Sequence, residues 1–174
     1  MNSFQHNART IRLLICDVDG VLTNGQLHFT EQGETLKTFH VHDGLGLKLL
    51  REFGIEVAII TSRKSAMVQT RLEQLGINHI FQGQKDKLQA YEHLKASLQL
   101  TNEEIAYVGD DLPDLICMEK VGLSIAVNNA VDTIKKQAHW VTSKNGGQGA
   151  VREVAETLLK AQEHWPKVLE QFVS

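Results

Sequence analysis

The sequence predicts an α/β fold, a three-layer Rossmann-like sandwich with helices on both faces of a mainly parallel sheet. Three observations predict it. Short apolar runs recur along the chain and end in polar residues or glycine, as strands buried on both faces do. Between them lie segments with helical spacing of Leu, Val and Ala, several stopped by a glycine such as Gly54, Gly76 or Gly122. Strands and helices therefore alternate, the pattern of βαβ units.

The first strand is Arg12 to Cys16, where Leu13-Leu14-Ile15-Cys16 runs straight into Asp17-Val18-Asp19-Gly20. Open α/β sheets bind ligands at the carboxyl ends of their strands. Side chains two apart on an extended segment share a face, so Asp17 and Asp19 reach one site. Two such charges about 4 Å apart repel by roughly 4 kcal/mol at an effective dielectric near 20. A bound cation or a raised pKa relieves this. Asp-x-Asp-Gly also fits a plain turn closing a strand. A calcium loop fails on spacing, because Val21 stands where a third Asp or Asn is wanted and His28 where the bidentate Glu belongs.

Residues 22–41 differ in character. Gln26 to Thr30 alternates, Glu31-Gln32-Gly33-Glu34 turns, and Thr35 to Val41 alternates again, which predicts a β-hairpin inserted after the first strand. An isolated hairpin is marginal and needs something to pack on. Asp43 is the expected cap of a helix through Leu45, Leu47, Leu49, Leu50 and Phe53. Ile55 to Ile60 is a second buried strand ending in Thr61-Ser62-Arg63-Lys64, with Ser62 expected to start a helix to Leu75. Ile77 to Phe81 is a short strand, residues 82–87 a loop containing Lys85 and Lys87, and Leu88 to Leu98 a helix. Thr101-Asn102-Glu103-Glu104 reads as a capping box. Ile105 to Val108 is a strand ending in Gly109-Asp110-Asp111-Leu112-Pro113-Asp114, followed by a helix to Val121. Leu123 to Val127 is a strand, Val131 to Gln137 a helix, and His139 to Val141 a last short strand. Residues 145–149 are read as a flexible loop, Ala150 to about Gln162 as an amphipathic helix, and the tail from His164 to Ser174 as loose.

The totals suit one domain spanning residues 1–174. Apolar content is 42% and charged content 22%, ordinary for a soluble globular protein. A net charge of −3 supplies no basic field for nucleic acid. Cys16 and Cys117 are too few for a disulfide framework, which suits a reducing cytoplasm. Residues 1–10 hold no apolar signal-peptide core, and no run approaches membrane-spanning length, so no membrane partner is expected.

Four strand ends carry polar groups: Asp17 and Asp19, Thr61 and Ser62, Lys87 in the loop after a strand, and Asp110 with Asp111. All lie on the carboxyl side and can converge. Hydroxyl and lysine are phosphate donors. Carboxylates and a phosphate coexist only if a cation joins them, and oxygen ligands without Cys or His suit Mg²⁺.

In order and content these motifs resemble the haloacid dehalogenase superfamily of phosphohydrolases. The match comprises Asp17-Val18-Asp19-Gly20, Thr61, a Lys, and Gly109-Asp110-Asp111 with Asp114, over about residues 11–127. A closer likeness, to a capless branch acting on phosphate esters of long-chain sugar acids, rests on six stretches. These are Cys16 to Thr23, Phe39 to Gly44, Ile55 to Lys64, Tyr107 to Leu112, Met118 to Ala126 and Gly146 to Glu153. Ser62 departs from the glycine common there. The resemblance implies that Asp17 attacks phosphorus and forms an aspartyl-phosphate. It implies that Asp19 is the acid/base. Mg²⁺ is then held by Asp17, the Asp19 carbonyl and Asp110. Thr61 and Lys87 take the phosphoryl oxygens, Gly20, Ser62 and Arg63 line the substrate site, and Asp111 and Asp114 support it.

Arg63 in this branch goes with octulosonate 8-phosphate and a role in lipopolysaccharide precursor synthesis, whereas Glu goes with nonulosonate 9-phosphate. The resemblance also implies a homotetramer in which hairpins bearing Leu27, Phe29, Leu36 and Phe39 cover neighbouring sites. Simpler readings stand beside these. Lys85 competes with Lys87, Asp111 and Asp114 fit plain helix caps, and Arg63 fits a solvated helix start. His28, His40 and His42 raise zinc, although hairpin histidines are more often solvated or packed. A response-regulator-like phosphoacceptor also uses Asp, Thr or Ser, and Lys, but lacks a second Asp two residues on. A non-catalytic assembly domain would not need the full motif set.

Overall fold

The computed structural model describes residues 3–173, with side chains from Asn7 onward. Six strands form one parallel sheet in the order β5-β4-β1-β6-β7-β8. They are β1 (Leu13–Cys16), β4 (Glu56–Ile60), β5 (His79–Phe81), β6 (Ile105–Gly109), β7 (Leu123–Ala126) and β8 (Trp140–Val141). The two remaining strands, β2 (His28–Thr30) and β3 (Gly33–Leu36), make a separate antiparallel hairpin. Within the sheet Leu13 pairs with Glu56 on one side and Ile105 on the other. The four residues of β1 and five of β6 are all buried, while edge strands β5 and β8 are half-buried. That is why the central strands read as unbroken apolar runs rather than alternating ones.

The helices are α1 (Ser3–Thr10), α2 (Val41–Glu52), α3 (Ala66–Gln74), α4 (Lys87–Ser97), α5 (Leu115–Met118), α6 (Asp132–Gln137), α7 (Ala150–Ala161) and α8 (Trp165–Val173). α7 turns Val151, Val154, Ala155, Leu158 and Leu159 inward and packs along α2. Gly46 permits this approach, since a Cβ there would lie 3.1 Å from Ala155 Cβ. α4 packs with α5. Chain direction along the sheet reverses between β1 and β6, because β4 and β5 lie on one side of β1 and β6 to β8 on the other. Such a switch point leaves a crevice at the strands' carboxyl ends.

Several expectations are corrected. The hairpin is shorter than the alternation suggested: Lys37 to His40 leave the strand, and Val41 already begins α2. Its N-cap is His40, whose Nδ1 accepts from His42 N. Asp43 instead caps a different helix, accepting from Arg152 N at 2.8 Å and Gly149 N at 3.4 Å. Ser62 does not start the next helix; Ser65 does. Lys87 is the first residue of α4, after the Asp86 cap, rather than part of a loop. The helix expected to run to Val121 ends at Met118. Residues 145–149 are packed, with Gly147 N donating to Val21 O and Gly146 N to Asn129 Oδ1. The tail is helical rather than loose, with Val168 buried and the Trp165 ring beneath Lys160. Helix α1, for which polar residues 3–10 carried no apolar signal, ties in through Asn7 Nδ2 and Gly122 O at 2.7 Å. The Thr101–Glu104 capping box is present as expected.

Candidate active site

The loop after β1 is a tight coil whose amides converge on one carbonyl. Val18 O accepts from the amides of Val21, Leu22 and Thr23, and the buried Thr23 hydroxyl accepts from Gly20 N. Gly20 sits at φ +95°, and a Cβ there would fall 2.0 Å from Asp110 Oδ2. Only glycine lets the β1 loop and the β6 loop meet so closely. Gly146 braces the back of this coil, where any Cβ would strike Gly20 O.

A cleft of about 220 Å³ opens at the switch point. Asp17, Asp19, Thr61, Ser62, Arg63, Lys87, Asp110, Asp111 and Asp114 all line it, with Pro113. Every predicted site residue except Gly20, which lies beneath Asp110, is thus brought to one place. Lys85, by contrast, is exposed and is not among the lining residues.

The carboxylates fall into two groups. Asp17, Asp110 and Asp114 each offer an oxygen within 4.8 Å of the others. Asp114 is saturated by donors: Lys87 Nζ at 2.6 Å and Tyr107 Oη at 2.8 Å reach Oδ1, while the amides of Asp110 (2.9 Å) and Asp111 (3.3 Å) reach Oδ2. It therefore organises the loop and Lys87, and has little left for a metal. Asp17 Oδ1 lies 3.0 Å from Lys87 Nζ, yet it and Asp110 Oδ1 are buried without a hydrogen bond. Burial, then the neighbouring Asp114, push the Asp17 carboxyl up to about 7 against the pull of Lys87. Burial, Asp114, Asp17 and Asp111 push Asp110 up to about 8. Asp110 Oδ1, buried and unpaired, and Asp17 Oδ1, whose neighbour is the Lys87 ammonium, are oxygen donors that a cation would satisfy.

Asp19 points elsewhere. Its Oδ1 accepts from Lys37 Nζ, and its Oδ2 lies 3.5 Å from Arg63 Nε. Glu34 of β3 completes this group, 3.0 Å from Lys37 Nζ and 3.3 Å from Arg63 Nη2. Burial opposes ionisation of Glu34, but Lys37 and Arg63 outweigh it and hold the carboxyl below its ordinary value. Lys37, Glu34 and Tyr107 were missed from the sequence. Tyr107 reads as a strand residue, and Glu34 and Lys37 read as part of the hairpin, because neither pattern reports what lies across the fold. Asp111 caps the turn Leu112–Asp114, accepting from Leu112 N. Thr61 is buried at the end of β4, and its hydroxyl accepts from Arg63 N. Ser62 is exposed at the lip, with room for its hydroxymethyl.

The profile of haloacid dehalogenase-like hydrolases matches residues 72–154. The chain is 51% identical over 156 residues to 3-deoxy-D-manno-octulosonate 8-phosphate phosphatase of Yersinia pestis, covering 90% of this chain and 83% of that one. It is 51% identical over 155 residues to the same phosphatase of Escherichia coli K12, covering 89% and 82%. Among solved structures, the Moraxella catarrhalis phosphatase of that name, in complex with magnesium, phosphate and the sugar acid KDO, superposes with a TM-score of 0.95 at 46% identity over 99% of both chains. With this likeness running nearly end to end, and with the acidic cluster at the switch point of the sheet, the chain belongs to the haloacid dehalogenase-like hydrolases, in the family of the 3-deoxy-D-manno-octulosonate 8-phosphate phosphatases.

Proposed function

We propose that the protein is a Mg²⁺-dependent phosphomonoesterase that hydrolyses 3-deoxy-D-manno-octulosonate 8-phosphate, releasing the free sugar acid for lipopolysaccharide precursor synthesis. The observation that carries the chemistry is the division of the two first-loop carboxylates. Asp17 lies beside Lys87 with an orphaned oxygen, while Asp19 is held apart by Lys37 and Arg63. This division supports a reading in which one attacks and the other moves protons. Asp17 bonds to phosphorus as the ester P–O bond breaks, and Asp19 protonates the leaving alkoxide. Asp19 then takes a proton from the water that hydrolyses the aspartyl-phosphate. Thr61 and Lys87 hold the phosphoryl oxygens through their hydroxyl and ammonium donors. Ser62 and Arg63 face the sugar end, with Gly20 keeping the loop close. A phosphoacceptor domain without turnover has no use for Asp19.

The residues present fit Mg²⁺: oxygen donors only, two of them orphaned, in a Gly20-lined cradle. Asp17, Asp110 and the Asp19 carbonyl would hold it, and when bound it offsets the negative charge shared by carboxylates and phosphate. EDTA is expected to stop phosphate release. Because the two carboxyls sit near 7 and 8 without metal, Mg²⁺ must displace protons, so its affinity should rise as pH climbs through that range. Calorimetric titration at pH 6 and pH 8.5 checks the sign; equal affinity at both would refute the assignment.

The guanidinium of Arg63 suits a substrate carboxylate. The runner-up substrate is a nonulosonate 9-phosphate. Phosphate release from both esters, measured side by side, tests the choice; faster turnover of the nonulosonate would reverse it.

The hairpin leaves Leu27, Phe29 and Leu36 exposed, at 43%, 60% and 50%. Apolar edges of this kind are usually covered. We propose that a homotetramer covers them, each hairpin closing a neighbour's cleft, and that the enzyme works in the cytoplasm. Cys16 and Cys117, buried and unpaired, suit a reducing compartment. Among the described residues no helix is long and apolar enough to cross a membrane. Phe29→Asp should dissociate the assembly in light scattering while leaving the subunit folded. Phe39 is not a comparable probe: it is half-buried and packs against the core beside Leu22 and Leu47, so a charge there would perturb the subunit as well as the assembly. A wild-type monomer with full sugar selectivity would sink the assembly.

A further inference from the structure

Lys37 lies just beyond β3, and its side chain is only 1% exposed. Its ammonium bonds to Asp19 Oδ1 and sits 3.0 Å from Glu34 Oε1. As an anchor for a hairpin this is a poor choice, because desolvation offsets most of the Coulomb gain and an apolar side chain would serve at least as well. Leu36, its neighbour, is half exposed and not used that way. What the ammonium provides is direction. A carboxylate two residues beyond Asp17 would otherwise be drawn toward Lys87 and whatever cation Asp17 and Asp110 hold. Lys37 draws it the other way, and the Asp19 carboxylate stands outside the Asp17–Asp110–Asp114 cluster. With Oδ1 occupied, Oδ2 is the oxygen left, and it faces Arg63, which lines the cleft.

Building on the phosphatase reading above, we infer that Lys37 is a positioning residue for Asp19, fixing Oδ1 so that Oδ2 meets the leaving oxygen of the substrate. Glu34 seats the ammonium, and Arg63 leaves Oδ2 as it turns to the substrate's carboxylate. The proton passes from Oδ2 to the alkoxide as the ester bond breaks. It returns to Oδ2 from water as the water oxygen bonds to phosphorus and the Asp17–phosphorus bond breaks. Lys37 stays charged throughout. The hairpin thereby becomes part of the catalytic apparatus.

The leaving group separates this role from a structural one. A sugar alkoxide needs its proton, whereas p-nitrophenolate leaves without one. In Lys37→Met, kcat/KM on octulosonate 8-phosphate, which reports the steps up to loss of the alkoxide and not the hydrolysis of the aspartyl-phosphate that both esters share, should fall about 100-fold. The loss of kcat/KM on p-nitrophenyl phosphate should be at least ~10 times smaller. Lys37→Arg, which keeps a cation, should recover most of the kcat/KM. If circular dichroism finds Lys37→Met unfolded, Glu34→Gln carries the same comparison, with a loss several-fold larger on the sugar phosphate than on the aryl ester. Equal losses on the two esters, or an unchanged kcat/KM in a folded variant, would overturn the inference. A wild-type enzyme inactive on octulosonate 8-phosphate but active on another sugar phosphate would fault the substrate reading alone, and the ratio is then read on that ester.

Discussion

Asp17→Asn is expected to reduce phosphate release by about 10⁴-fold or more, corresponding to roughly 5 kcal/mol of lost transition-state stabilisation. The amide is a poor nucleophile and a weaker metal ligand, so two contributions vanish together. The fold should not suffer. Asp17 is buried among Asp110 and Asp114, and its carboxyl is pushed from 3.8 up to about 7 by burial and by Asp114. A carboxyl raised on folding keeps its proton in the native state while the unfolded chain has lost it. Its contribution to stability therefore falls as pH rises from about 4 to about 7. The metal-free variant should lose less stability across that window than the wild type. Denaturant melts at pH 5 and pH 7.5, beside a phosphate-release assay, check both halves. Retention of a tenth of the activity would exclude an aspartyl-phosphate.

Asp114→Ala should damage stability and activity together. Four donors end on this carboxylate: Lys87, Tyr107 and the amides of Asp110 and Asp111. Truncation leaves the Lys87 ammonium, 2% exposed, with Asp17 as its remaining anion, and strips a partner from each of the others. Removing one partner of a buried pair typically costs about 3–5 kcal/mol. For a chain of this size that corresponds to a fall in Tm of roughly 10 °C. Turnover should drop as well, because Lys87 and the Asp110 loop lose their seat. Asp111→Ala is the contrast: its side chain caps an exposed turn, so the loss should be about 1 kcal/mol. A thermal melt of Asp114→Ala within a degree of wild type would show that the carboxylate is dispensable.

Local information decided much of this. Strands buried on both faces announce themselves as apolar runs, so β1, β4, β6 and β7 were legible to within a residue or two. Because ligands gather at the carboxyl ends of parallel strands, the polar residues closing those runs were legible as one site: Asp17, Asp19, Thr61 and Asp110. Helix caps were less legible. Asp43 has the right chemistry for a cap but serves α7, which is 106 residues away in sequence. Ser62 has the right chemistry too, yet the chain continues past it into the cleft and Ser65 begins α3. A cap is defined by where the backbone turns, and neighbouring packing decides that. The amphipathic tail was misread for a related reason, since Trp165 and Val168 gain their partners only once α7 is in place.

The residue types and their order along the chain thus determined by themselves the α/β class, the parallel sheet and which carboxylates gather in one cleft at its edge. These follow from periodicity and from the geometry of strands, which act over a few residues. Only the tertiary structure decided how the carboxylates are divided. Asp114 is paired with Lys87 and hydrogen-bonded by Tyr107, and Asp19 is turned aside by a lysine brought in by the hairpin. Their partners are 27, 7 and 18 residues distant in sequence. A charge finds its counter-ion through space, and no local pattern records which one the folded chain will supply.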